Sequence, residues 1–279
     1  MFGTLDNVAI GGCPRLWGFN YLDKLERGYL GEHLVDGIKF HKCVEHLHRD
    51  GVMPEPRVLQ PGVVLTAEDV LPEGHFGRMA RAAIVHVPRH DGWVHEYVGL
   101  FPWTTSNGVE VHIDLRPDLM SEPQPDLLAY LVDFKSTGNK RNALTGDAGK
   151  KPLRDDVQAN VYSHGMHLLG ANSTLARWIY VDRNTYAAWP VERLFRPETV
   201  VDWLHKNIDG TIELIHSIRS NPALRAMDLP GDESSPACGG DGSGRFCDFP
   251  SHCQGPVGAK PSRLIQLDEI NRYIGRKET

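Results

Sequence analysis

The chain has 279 residues, 41% hydrophobic and 24% charged, with 30 Lys and Arg against 36 Asp and Glu for a formal net charge of −6. Those proportions sit near globular averages and exclude a disordered or collagen-like chain. No apolar run approaches the ~18–20 residues of a membrane span, and the start, MFGTLDNVAIGGC, lacks the basic segment and apolar stretch of a secretory signal. Five cysteines form an odd, sparse set, unlike a secreted disulfide scaffold, and point to the cytoplasm. The acidic balance weighs against nucleic acid, whose partners usually carry a basic footprint.

Residues 15–49 show helical apolar spacing at Leu16, Phe19 and Leu22 and again at Leu34, Ile38 and Val44. Gly28, Gly31 and Gly37 are expected to divide this stretch into two or three helices. Pro54, Pro56 and Pro61 mark 51–62 as a connector. From Val94 the period changes to two, and VHEYVGLF, GVEVHIDL and LLAYLVDF read as strands, with Asn107-Gly108 a hairpin turn between the first two. In GVEVHIDL, Val109, Val111, Ile113 and Leu115 share one face, while Glu110, His112 and Asp114 share the other. LLAYLVDF is apolar on both faces until Asp133, the pattern of a central strand. A helix is predicted over 153–169, strands at ARWIYVDR and AAWPVERL, one long amphipathic helix over 198–219, and loop over 231–244. No repeat appears at periods of 20–50 residues. This order predicts an α/β or α+β fold with a mixed sheet.

The most informative stretch is LVDFKST, in which Asp133 and Lys135 lie two apart on a strand and so share a face. Asp114 ends the preceding strand on its polar face, and two converging strand-end carboxylates suit a hard divalent cation such as Mg2+. Gln158 and Tyr162, four apart, share one face of the following helix. His41 follows Gly37 among the N-terminal helical residues.

The order G-x-x-x-H, I-D, D-x-K and Q-x-x-x-Y, at Gly37 to His41, Ile113-Asp114, Asp133 to Lys135 and Gln158 to Tyr162, resembles the PD-(D/E)XK nuclease superfamily in its RecB-like branch. The resemblance implies a restriction-endonuclease-like α/β core, with a central mixed sheet flanked by helices. It also implies that His41, Asp114, Asp133 and the Phe134 carbonyl bind Mg2+ or Mn2+. Lys135 would stand beside the scissile phosphate and the attacking water, and Gln158 and Tyr162 would touch DNA. Asp114, Asp133 and Lys135 are the expected catalytic set. Such a site hydrolyses phosphodiesters by activating water and stabilising the attacking and leaving oxygens. The chain is expected to be a single domain over 1–279, with a helical part at 1–90, the catalytic core at 91–196 and a C-terminal helix and tail at 197–279.

Cys13 lies near the start, and Cys238, Cys247 and Cys253 lie in a Gly-rich tail with little core to bury them. A lone cysteine is usually a small buried hydrophobe, the expectation for Cys43. Four thiolates gathered together suit zinc or an iron–sulfur cluster. One N-terminal and three C-terminal cysteines around a nuclease core resemble the AddB nuclease and the CRISPR-associated RecB-like exonucleases, which implies a [4Fe–4S] cluster. Eight residues separate Cys238 from Cys247 where that pattern has two. The longer loop adds only about 1.2 kcal/mol of closure entropy.

Lys140, Arg141, Lys150, Lys151 and Arg154 fall between the D-x-K strand and the Gln158 helix, a basic stretch suited to contacting a DNA backbone. The leading expectation is a metal-dependent DNA nuclease, an exonuclease on ends or single strands, in recombination, repair, phage replication or CRISPR-type processing. No P-loop motif is present, so a helicase or recombinase, or CRISPR integration proteins, are the expected partners. The alternative is a non-catalytic DNA- or protein-binding module stabilised by an iron–sulfur or zinc site.

Overall fold

The computed structural model describes residues 17–18, 23, 32–123, 127–138, 143–145, 152–226 and 229. Cys13, Cys238, Cys247, Cys253, Lys140, Arg141, Lys150 and Lys151 lie outside them. Helix α1, Glu32–Asp50, buries Phe40, Cys43, Val44 and Leu47 at helical spacing. It runs unbroken through Gly37, because a mid-helix glycine costs only ~0.5–1 kcal/mol relative to alanine and a buried stripe outweighs it. Cys43 is fully buried, and burial pushes its thiol up to about 12.

The expected connector contains a strand. β1, Arg57–Gln60, pairs antiparallel with β2, Val63–Leu65, across Pro61 and a left-handed Gly62 at φ +80°. Helix α2, His75–Ile84, buries Phe76, Met79, Ala80 and Ala83. VHEYVGLF is two strands rather than one: β3, Trp93–His95, and β4, Gly99–Thr104, separated by Glu96 at φ +45°. β4 pairs with β5, Glu110–Leu115, in a sheet of their own. Their turn is closed by Thr105 N–H to the Val109 carbonyl and Gly108 N–H to the Thr105 carbonyl, both 2.9 Å.

The main sheet has the order β3-β6-β7-β8-β9, adding β6 (Leu119–Ser121), β7 (Leu128–Thr137), β8 (Ser173–Asp182) and β9 (Ala188–Phe195). β7 and β8 are parallel and the other pairings antiparallel, so the sheet is mixed. Helix α3, Val157–Leu168, lies between β7 and β8 in the chain, the crossover that parallel neighbours need. One core joins Phe40, Val44, Met79 and Ala83 of α1 and α2 to Val132 and Phe134 of β7 and Ile179 and Val181 of β8. Residues alternate along β7, so Asp133 and Lys135 point away from that core. Gln158 of α3 meets both, which puts α3 on the opposite face.

The expected long helix over 198–219 is two, α4 (Pro197–Asn207) and α5 (Asp209–Ser220). Leu204, Ile208, Ile212 and Ile215 are buried. The break falls where the buried Asp209 carboxylate accepts the Ser106 N–H and hydroxyl, both at 2.7 Å. The described residues form two compact units: 32–103 with 112–204, holding the five-stranded sheet, and 104–111 with those from 205 on, joined by 17–18 and 23. No helix among the described residues is long and apolar enough to cross a membrane.

Candidate active site

β8 pairs β7 along its whole length, from Leu128↔Ser173 to Thr137↔Asp182, whereas β6 contributes only Leu119↔Val132 and Met120↔Leu131. Pro117, with no N–H to donate, cannot extend that ladder. Continuing the register by one step sets Asp118 opposite Asp133. The edge of β7 beyond Val132 is therefore open, and the Phe134 N–H donates to Asp118 Oδ2 at 2.7 Å.

His41, beside the buried stripe of α1, meets the other oxygen, with its Nδ1 2.8 Å from Asp118 Oδ1. Burial alone would raise the Asp118 acid. The His41 imidazole, the Phe134 N–H and Lys135 outweigh burial and hold the carboxyl below its usual range. Burial works against charge on His41, but the Asp118 carboxylate prevails and keeps the imidazole above its ordinary value.

The second half of the cluster hangs from α3, whose first turn is capped by the Asp156 carboxylate accepting Ala159 N–H at 2.8 Å. Lys135 Nζ lies 2.6 Å from Asp133 Oδ2 and donates to Gln158 Oε1 at 2.7 Å. Gln158 Nε2 donates to Asp133 Oδ1 and to the Tyr162 hydroxyl, each at 3.0 Å, and that hydroxyl donates to the Arg116 carbonyl at 3.0 Å. The amide presents its oxygen to the ammonium and its nitrogen to the carboxylate, as their charges demand.

Asp133 is 3% exposed. Burial raises its acid most strongly, Lys135 opposes, Asp118 adds to the rise, and the carboxyl stands at about 6. Burial works against the Lys135 charge, yet Asp133 holds the ammonium above its ordinary value. Burial, then the Asp133 charge, pushes the Tyr162 hydroxyl up to about 12. Asp133 Oδ2 accepts no well-directed hydrogen bond, although the Lys135 ammonium is an ion-pair distance away.

The structure brings together His41, Asp133, Phe134, Lys135, Gln158 and Tyr162, and the carboxylate that joins them is Asp118, not the expected Asp114. Asp114 ends β5 as its alternation implied, but β5 belongs to the β4–β5 sheet and has no place beside β7. Its Oδ2 is paired instead with Arg116 Nε at 2.7 Å. Arg154 is paired with its neighbour Asp155 at 3.4 Å, outside this cluster. Among the described residues, no three His, Cys, Asp or Glu side chains already converge as a metal-holding group. His41 is turned onto Asp118, and Asp133 onto Lys135 and Gln158.

Residues 9–254 match the PD-(D/E)XK nuclease superfamily. The chain belongs to that superfamily. Its mixed sheet and flanking helices are a restriction-endonuclease-like α/β core. Pro117-Asp118 and Asp133-Phe134-Lys135 spell the P-D and D-x-K of the superfamily's name, a signal that could have singled out Asp118 from the residues alone. A solved structure titled "Crystal structure of SSO0001" is similar over 42% of this chain and 48% of that one, at 16% identity and a TM-score of 0.26. The match thus spans about half of that structure's chain. No curated protein matches the sequence.

Proposed function

We propose that the chain is a metal-dependent deoxyribonuclease of the RecB-like branch, an exonuclease acting on DNA ends or single strands. The observation that carries this reading is the linked set of Asp118 with His41 and Asp133 with Lys135, where the edge of β7 opens beyond Val132. Two carboxylates, Asp133 buried and Asp118 half-buried, and an imidazole suit a divalent cation, and the oxygen of Asp133 without a hydrogen bond is where a cation would relieve the burial of charge. His41, Asp118, Asp133 and the Phe134 carbonyl would hold Mg2+ or Mn2+. Such an ion, when bound, supplies a water of lowered pKa and neutralises charge on the phosphate.

The chain's own residues do the positioning. Lys135, kept protonated by Asp133, offers its ammonium to the non-bridging oxygens as charge builds on them. Gln158 holds both members of that pair, so neither can drift from the phosphate. Tyr162 fixes Gln158 to the backbone before Asp118. Lys150 and Lys151 are proposed to contact the DNA backbone, a role resting on their place in the sequence. The superfamily match over 9–254 supports reading both compact units as parts of one nuclease, with any unwinding left to a helicase, recombinase or CRISPR integration partner.

End-labelled single- and double-stranded DNA incubated with Mg2+ or Mn2+ should be shortened from its ends by the wild type and not by Lys135→Ala. Cleavage by both, or by neither, sinks the assignment. Cys13, Cys238, Cys247 and Cys253 are proposed to hold a [4Fe–4S] cluster, with zinc as the alternative, on the strength of four thiolates around a nuclease core. Protein purified without oxygen should then be brown and contain iron and sulfide. A colourless protein that contains zinc would reassign the site.

A further inference from the structure

The Asp114–Arg116 pair stands at the margin of the cluster without a part in it. Asp114 is 11% exposed and its Oδ1 is buried without a hydrogen-bond partner, while Arg116 is 55% exposed. A carboxylate is drawn out of water and left half-satisfied, a costly arrangement, to grip a side chain that remains in solvent. The grip falls on Nε, 2.7 Å from Asp114 Oδ2. With the grip on Nε and the side chain more than half exposed, the two terminal amino groups of the planar fork are the donors left to match a phosphate.

Arg116 is also tied to the cluster through its backbone. Its carbonyl accepts the Tyr162 hydroxyl, which receives the Gln158 amide that holds Asp133. Asp118 follows two residues later, a step of ~6.6 Å in extended chain. The guanidinium therefore originates about one nucleotide's reach from the carboxylates.

We propose that Arg116 binds a backbone phosphate of the nucleic-acid strand next to the scissile one, and that Asp114 is the positioning residue that aims it. The assignment rests on the nuclease reading of the cluster. It gives Asp114 a task on the substrate side of the reaction, where the sequence reading placed it on the metal side.

Binding of a labelled oligonucleotide in EDTA, over a series of salt concentrations, reads this out without cleavage. Each phosphate contact adds ~0.7 to the slope of log affinity against log salt on a single strand and ~0.9 on a duplex. Arg116→Gln should remove about one such contact and weaken binding about tenfold. Asp114→Asn should give a smaller loss of the same kind, and no further loss when added to Arg116→Gln. Thermal unfolding confirms that each variant is folded, and Arg116→Lys, which keeps the charge, should hold most of the salt slope.

A slope indifferent to Arg116→Gln overturns the proposal, as do losses that simply add in the double variant. It also falls if Asp114→Asn raises the Mg2+ needed for half-maximal cleavage while leaving binding untouched. A wild type that binds DNA but fails to cleave it with any divalent ion removes the nuclease reading, and with it the place of this contact beside a scissile phosphate. A wild type that cleaves normally with an unchanged Arg116→Gln slope removes this contact alone.

Discussion

Near its start, α3 sets Gln158 and Tyr162 against a carboxylate and an ammonium that keep opposite charges in a buried place. Near its end, the same helix carries His167, whose ring nitrogens are buried and whose imidazole is driven down to about 4 by burial and then by His164. The difference lies in what surrounds each end. Around Gln158, donors and acceptors of opposite charge stand within hydrogen-bond reach. Around the last turns, Leu115 and Phe101 of the β4–β5 sheet press so closely that a Cβ on Gly165 would come within 2.9 Å of the first and 3.1 Å of the second. The Trp103 ring meets His164 edge-on at 5.0 Å. Burial beside a second imidazole strips His167 of its proton, while charges with opposite partners survive burial. Charge held beside the start of this helix therefore marks chemistry, and charge lost near its end marks packing.

The largest test of that contrast is Asp118→Asn beside Asp114→Asn. The first removes the charge that His41 and the metal site need, and should cost ~10³-fold or more in cleavage rate, the scale of a lost electrostatic element. The second should cost far less. Equal losses in labelled-DNA assays would put both carboxylates in the reaction. Next, Gln158→Ala should lower metal affinity or cleavage by roughly 10–100-fold, as loss of an outer partner does.

A third test uses pH. The Asp133 acid stands at about 6, above the carboxylate range, so below that pH a proton competes with the cation for it. Mg2+ affinity of the metal-free protein, followed by calorimetry, should fall by up to roughly tenfold per pH unit on acidification through about 6. Indifference to pH there would mean that Asp133 is not a ligand.

The smallest effect belongs to the other end of α3. The His167 imidazole takes its proton at about 4 in the fold against 6.5 ordinarily. The unfolded chain is thus protonated first as pH falls, and stability is lost between 6.5 and 4. His167→Phe should flatten that stretch of the melting-temperature profile and leave cleavage unchanged. A matching fall in activity would erase the distinction between the two ends.

Much of the local order is legible in the residues. Period two puts Asp133 and Lys135 on one face, helical spacing aligns Gln158 with Tyr162, and Asn107-Gly108 turns the hairpin between β4 and β5. α2 and β6 are not, since ten residues beginning at His75 and three beginning at Leu119 carry too short a pattern to stand out. The single apolar stripe over 198–219 conceals a break at which the Asp209 carboxylate is drawn onto Ser106 and His205.

By itself, the sequence determined which residues are adjacent on a strand or helix face, that four cysteines flank an acidic–lysine motif, and that no motor motif accompanies it. Tertiary structure decided which acidic residue joins Asp133. Asp114 and Asp118 both end or adjoin a strand on a polar face, so strand periodicity cannot rank them, and in the residues only the Pro117-Asp118 pair sets one apart. The choice depends on which strand lies beside β7. Hydrogen-bond pairing makes that β6, and Pro117 stops the ladder one residue after Asp118 has been brought opposite Asp133.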